Sequence, residues 1–257
     1  MPAADLPLLI DAVRMAGRVA TSYAGPTAAR WDKPDDAGPV TEADIAVNTV
    51  LHSALATARP DYGWLSEESE DDAARLDRDA VFIVDPIDGT RSFVEGSRTW
   101  AISVAVALAG EVTAAAIYLP LRDKLYAASR GAGTTLNGAR VTLADTGLSP
   151  LARVLAARPN LQPHHWSGAV PEIDRHYRPS LAYRLSLVSE GKFDGMLTLR
   201  PSWEWDIAAG ALLVSEAGGS ISDRTGSALR FNNPTPKLNG VVAAAPRLHR
   251  DLVARLA

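Results

Sequence analysis

Strands and helices are interleaved along this chain of 257 residues, and the sequence predicts an α/β protein built in layers rather than a simple doubly wound sheet. Three observations carry that expectation. Val81 to Val84 is an unbroken apolar run, which suits a strand buried on both faces. Hairpin signals at Gly110-Glu111 and Asn137-Gly138 place antiparallel strands in the first half. Helical spacing of apolar residues opens the chain and recurs in the second half.

In order, Leu6 to Tyr23 reads as an amphipathic helix on Leu9, Val13, Ala16 and Ala20, closed by Gly25-Pro26. Arg30 to Pro39 is polar and rich in Pro, Gly and Asp, hence a loop, with Lys33 in it. Thr41-Glu42-Ala43-Asp44 has the form of a capping box, a hydroxyl at N-cap with an acid at N3. A helix follows to about Ala58, with Ile45, Val47, Leu51 and Leu55 as its apolar positions. Glu70 to Asp79 is charged and reads as a solvated surface loop.

The strand at Val81 to Val84 ends in Asp85, and Pro86, lacking an N–H, is expected to stop it. Trp100 to Ala109 and Val112 to Tyr118 form the first hairpin, and Leu125 to Ser129 is a further strand. Gly131-Ala132-Gly133 is a turn, since Leu136 stands where a dinucleotide fingerprint needs its third glycine. Thr146 to Pro150 divides an α+β half, 1–147, from an α/β half, 148–257. Beyond it come a strand over Leu151 to Ala156, a loop over Pro159 to His165 and a helix over Leu181 to Glu190. Then follow a strand over Gly195 to Leu199, a helix over Asp206 to Ala217 ending in Gly218-Gly219, a strand over Gly240 to Ala244 and a helix over Leu248 to Leu256.

Net charge is 26 minus 30, or −4, which argues against a general nucleic-acid or membrane-surface binder. The absence of cysteine excludes disulfides, thiolate nucleophiles and Cys-based zinc sites. No apolar run approaches the roughly 20 residues needed to span a bilayer. The N-terminus shows neither a basic n-region nor a cleavage signature, so the default location is cytoplasmic.

The acids are the informative feature. Asp85 and Asp88 sit three residues apart on a turn stiffened by Pro86 and freed at Gly89. Taken alone, Asp-Pro and Asp-Gly are ordinary turn pairs. Glu67-Glu68 upstream and Asp206 downstream change the reading, because several carboxylates without histidine suit a hard cation such as magnesium. None of the five histidines falls in these motifs, which argues against zinc. Magnesium in turn suits phosphate esters, whose hydrolysis is limited by charge on the phosphoryl oxygens.

Four segments together, Glu67-Glu68, Asp85-Pro86-Ile87-Asp88-Gly89-Thr90, Trp205-Asp206 and Glu216-Ala217-Gly218-Gly219, resemble the inositol monophosphatase superfamily of magnesium-dependent, lithium-sensitive phosphatases. The resemblance spans nearly the whole chain. It implies a layered αβαβα sandwich with two sheets, the site between the halves, and a homodimer. It implies that Glu67, Asp85 and the Ile87 carbonyl hold one magnesium ion, that Asp85, Asp88 and Asp206 hold a second, and that a third binds more weakly near Glu67. Thr90, assisted by Asp44, would orient and deprotonate the attacking water, with Glu67 sharing the role of base. Gly89 and Thr90 amides would face a phosphate oxygen, and Lys33 would approach from a mobile loop. Glu68 is not implied as a ligand.

The leaving-group side separates the subfamilies. Inositol monophosphatases carry an acid a few residues before Trp-Asp; here Leu199 or Arg200 replaces it. Arg200 suits a second phosphate. Glu204-Trp205-Asp206 is similar to CysQ-type 3'(2'),5'-bisphosphate nucleotidases, although Ile87 and Arg91-Ser92 depart from their usual Leu and Lys-Glu. The expected substrate is therefore adenosine 3',5'-bisphosphate, with inositol 1-phosphate or histidinol phosphate as alternatives. Tyr183, Arg184 and Trp203 are candidate substrate contacts. A covalent aspartyl phosphatase would need Asp-x-Asp-x-Thr, whereas the spacing here is Asp-x-x-Asp-x-Thr. A non-catalytic phosphate binder and a structural calcium cluster are the rivals from other classes.

Overall fold

The structure, a computed structural model, describes residues 5–23, 25–33 and 38–257. Helix α1 (Asp5–Ser22) buries Leu9, Val13, Ala16 and Ala20 on one face, as their spacing requires. Strands β1 (Arg30–Asp32) and β2 (Pro39–Thr41) pair antiparallel, so the flanks of the stretch expected as loop form a short ribbon. Its middle, residues 34–37, lies outside the described residues. Helix α2 (Glu42–Ala58) starts at the expected capping box, with both reciprocal bonds between Thr41 and Asp44 present. Val47, Leu51 and Leu55 are buried, while Ile45, half a turn away, is exposed.

Strand β3 (Gly63–Ser66) leads to the charged stretch expected to be solvated. There Arg75 is only 2% exposed. Its guanidinium grips Asp71 with both Nε (2.6 Å) and Nη2 (2.9 Å) and reaches Asn232 and Asn233, so partners far along the chain turn a surface-like segment inward.

Strand β4 (Ala80–Asp88) does not stop at Pro86. It pairs antiparallel with β5 (Ala101–Leu108) through Asp85, slips register, and resumes at Asp88 opposite Ala101. The missing N–H of Pro86 is accommodated by the bulge. Helix α3 (Thr90–Val94) lies between the two strands. After β5 come β6 (Glu111–Leu119), β7 (Lys124–Ser129), β8 (Gly133–Leu136) and β9 (Ala139–Val141). They complete a seven-stranded sheet in the order β3-β4-β5-β6-β7-β8-β9, with β3 and β4 parallel and the other neighbours antiparallel. The hairpin turns at Ala109-Gly110 and Asn137-Gly138 have positive φ at both residues (50° and 81°; 50° and 82°), matching the twist of the strands they join.

The second half contains β10 (Arg153–Ala156), β11 (Asp174–His176), α4 (Leu181–Ser189), β12 (Gly195–Thr198), β13 (Ser202–Trp203), α5 (Glu204–Glu216), β14 (Ser220–Ser222), β15 (Lys237–Leu238), β16 (Val241–Ala244) and α6 (Pro246–Val253). Five of these strands form a sheet in the order β11-β10-β12-β16-β14, and β13 pairs with β15. Helices α1 and α2 cover one face of the large sheet. Helices α4 and α5 lie between its other face and the small sheet, and α6 packs on the small sheet. The expected αβαβα layering is present. Along β4, Phe82 and Val84 join the core under α1 and α2, whereas Val81 and Ile83 join the core under α4 and α5. Alternation on a strand covered on both sides explains its unbroken apolar run.

Candidate active site

The acids converge because the ends of β3 and β4 meet the starts of helices. Glu67 follows β3, and its N–H bonds the Val84 carbonyl of β4 at 3.2 Å. Asp85 and Asp88 flank the bulge of β4. Asp206 is the third residue of α5 and Asp44 the third of α2, while Thr90 opens α3. Asp88 faces a fourth helix start: its Oδ2 accepts from Ser180 Oγ at 2.7 Å and from the Ala182 N–H of α4 at 2.6 Å. Helix N-termini carry partial positive charge, which favours carboxylates there.

Asp85, Asp88 and Asp206 each present a carboxylate oxygen within 4.8 Å of the others. Burial, with the nearby charges of Glu67, Asp88 and Asp206, drives the Asp85 carboxyl far above the usual carboxylate range. Burial pushes Asp88 up to about 6, although its bonds to Ser180 and Ala182 oppose this. Asp206 is raised by burial and then by Asp88 and Glu67. Asp85 is 1% exposed, and among the described residues neither of its carboxylate oxygens has a hydrogen-bond partner. An orphaned carboxylate among like charges is costly unless a cation meets it. The donor set is all oxygen and without histidine, so it fits magnesium.

Thr90 Oγ1 lies 3.1 Å from Asp44 Oδ1 and 3.2 Å from the Ile87 carbonyl, and it can donate to either. Asp44 Oδ2 accepts from Thr41 N–H (2.8 Å) and Thr41 Oγ1 (2.5 Å). Asp44 therefore caps α2 and faces Thr90 at once, and burial raises its carboxyl. Gly89, at φ 99°, makes the turn between Asp88 and α3. The Ile87 side chain is buried in the core.

A cleft of about 700 Å³ is lined by the acids Glu67, Asp85, Asp88 and Asp206 with Gly89 and Thr90, and also by Arg184, Leu199, Arg200, Tyr177 and His165. Lys33 is not among the cleft residues. Its Nζ bonds Glu67 Oε1 (2.8 Å) and Glu68 Oε1 (2.5 Å). Burial pushes Glu68 up to about 7, against the pull of Lys33. Of the three further contacts expected from sequence, only Arg184 lines the cleft. Its guanidinium lies over the Tyr177 ring at 4.6 Å. Tyr183 is buried in the core, and Trp203 stacks on Trp205 at 4.6 Å. Sequence reading missed Ser180, which holds Asp88 and sits at φ 65°. A serine just before an apolar helix was a readable N-cap signal; its bond to a residue 92 positions away was not.

The sequence matches the inositol monophosphatase family over residues 5–257. Inositol-1-monophosphatase of Rhizobium meliloti (strain 1021) is 39% identical over 202 residues, 73% of this chain and 73% of that protein. Nus factor SuhB of Escherichia coli (strain K12) is 31% identical over 262 aligned positions, 98% of this chain and 95% of that protein. Among solved structures, the extragenic suppressor protein suhB of Bartonella henselae superposes with a TM-score of 0.81 at 28% identity, covering 98% of this chain and 97% of that one. The acidic cluster, the layered fold and these likenesses agree: the chain belongs to the inositol monophosphatase family, whose members are metal-dependent phosphatases.

Proposed function

We propose that this protein is a magnesium-dependent phosphomonoesterase acting on a 3'(2'),5'-bisphosphate nucleotide, adenosine 3',5'-bisphosphate being the expected substrate. The observation that carries the chemistry is the orphaned Asp85 carboxylate facing Asp88 and Asp206. Asp85, Glu67 and the Ile87 carbonyl would hold one ion and Asp85, Asp88 and Asp206 a second, with a weaker third near Glu67. Bound there, magnesium offsets charge on the phosphoryl oxygens and makes the attacking water more acidic.

The chain's own residues do the rest. Thr90 Oγ1 orients the water and relays its proton toward Asp44 Oδ1, a carboxyl already raised by burial. Glu67, which lines the cleft with Thr90, is a second acceptor. The Gly89 and Thr90 amides face a phosphate oxygen. Attack is direct and in line, and no covalent aspartyl intermediate forms.

The nucleotidase assignment rests on the cleft residues other than the acids. Leu199 or Arg200, both lining the cleft, stands where sugar-hydroxyl binding needs an acid. Arg184 and Arg200 place two cations there, matching a second phosphate. Hydrolysis of inositol 1-phosphate is the second reading, favoured by the name of the Rhizobium meliloti relative.

Phosphate release from adenosine 3',5'-bisphosphate, inositol 1-phosphate, histidinol phosphate and fructose 1,6-bisphosphate, in magnesium with and without lithium, separates the two. The bisphosphate should lead. Arg200→Ala should cut its kcat/KM about tenfold, the scale of a lost charged hydrogen bond, and leave inositol 1-phosphate turnover little changed. Preference for inositol 1-phosphate would overturn the nucleotidase assignment.

A further inference from the structure

We propose that Glu204 is a positioning residue for Asp206, acting through a clamp formed by half-buried Asn232 and Asn233, buried Arg75 and exposed Asp71. Helix α5 begins without a side-chain cap, because its N-cap residue is Trp203. A helix start is ordinarily held by such a cap. Here it is held from outside. The Glu204 carboxylate accepts from Asn232 N–H (2.6 Å), Asn233 N–H (2.9 Å) and Asn233 Nδ2 (2.6 Å). The Glu204 N–H donates to the Pro236 carbonyl at 3.0 Å.

The same two asparagines hold Arg75. Arg75 Nη1 donates to Asn232 Oδ1 (2.6 Å) and Nη2 to the Asn233 carbonyl (3.0 Å), and Asn232 Nδ2 returns a bond to the Arg75 carbonyl (3.1 Å). Asn232 adopts φ 63° to do this, a conformation that asparagine tolerates better than most residues. The clamp thus ties the segment after Glu67-Glu68 to the first turn of the helix that carries Asp206.

Glu204 is 0% exposed, and buried ionic groups seldom add stability relative to an apolar core of the same shape. What the clamp supplies is geometry. Glu204 stands two residues before Asp206, on the same helical turn. Both residues belong to the first turn of α5, so fixing that turn fixes where the Asp206 side chain leaves the helix. Magnesium requires near-octahedral oxygen placement, and supports behind ligands tune its affinity.

The proposal rests on Asp206 being a metal ligand, so the test includes that ligand. Magnesium is titrated calorimetrically into metal-free full-length wild type, Asp206→Asn, Glu204→Gln and Asn233→Ala, and thermal unfolding establishes that each variant is folded. Asp206→Asn should abolish the high-affinity binding. Glu204→Gln should weaken it about tenfold, and Asn233→Ala in the same direction by less. Wild-type affinity in folded Glu204→Gln and Asn233→Ala, with binding lost in Asp206→Asn, overturns the clamp alone. Wild-type affinity in Asp206→Asn overturns the ligand reading and the clamp together. If Glu204→Gln does not fold, Asn233→Ala decides.

Discussion

At the scale of single residues, Asp85 shows most directly how the site is poised. It is buried near the end of a strand with no donor at its oxygens and four acids around it, Glu67, Asp88, Asp206 and Asp44. A side chain that never ionises avoids the cost of keeping this carboxyl protonated in the fold once the unfolded chain has released its proton. Asp85→Asn is therefore expected to raise the thermal midpoint of the metal-free protein and to lose magnesium binding, as read by scanning calorimetry with and without the ion. Its neighbours give a pH dependence of definite sign. A carboxyl raised on folding keeps a proton in the native state that the unfolded chain has already released. Its stabilisation is complete below the unfolded value, about 4, and is lost as pH rises through the folded value. For Asp88 that is about 6 and for Glu68 about 7. The metal-free protein should thus lose stability between about pH 4 and pH 7 in urea titrations, and magnesium affinity should rise over the same range as the carboxylates ionise.

Secondary-structure elements were legible in proportion to how locally they are determined. The capping box of α2 and the Asn137-Gly138 turn stand where sequence placed them, because each depends on residues within one turn. The β1–β2 ribbon and the buried course of Arg75 were not legible, because their partners are distant in sequence or carry no pattern of their own. Pro86 shows the same limit. Its chemistry forbids a regular ladder bond, yet the neighbouring strand accommodates it in a bulge, and the bulge separates the two acids that flank it. Between elements, Gly210 of α5 lets α4 approach closely. A Cβ there would fall 2.5 Å from Leu185 Cβ. Gly210→Ala should destabilise the protein by about 1–3 kcal/mol, the usual cost of overpacking, as measured by urea unfolding. A neutral result would mean that α4 and α5 can separate without strain.

For the whole molecule, the site exists only where two sheets and four helix starts meet. A cation that binds this junction and not the unfolded chain stabilises the fold by mass action, about 2.7 kcal/mol at a hundredfold excess over Kd. Chelation with EDTA should therefore lower the thermal midpoint, and magnesium restore it. An unchanged midpoint would count against metal binding at the acidic cluster. Among the described residues no helix is long and apolar enough to cross a membrane, and the apolar content goes instead into the two cores on either side of the large sheet.

From its residues alone the chain declared its alternation of strands and helices, its main turns and the identity of the clustered acids. Those features depend on backbone chemistry and on spacing within a few residues. Which acid stands unpartnered, that Ser180 and Ala182 hold Asp88, that Lys33 meets the Glu67-Glu68 pair and that Glu204 reaches Arg75 through two asparagines were decided only by the packed layers. Each is a contact across tens to more than a hundred residues, and no local preference encodes such a meeting.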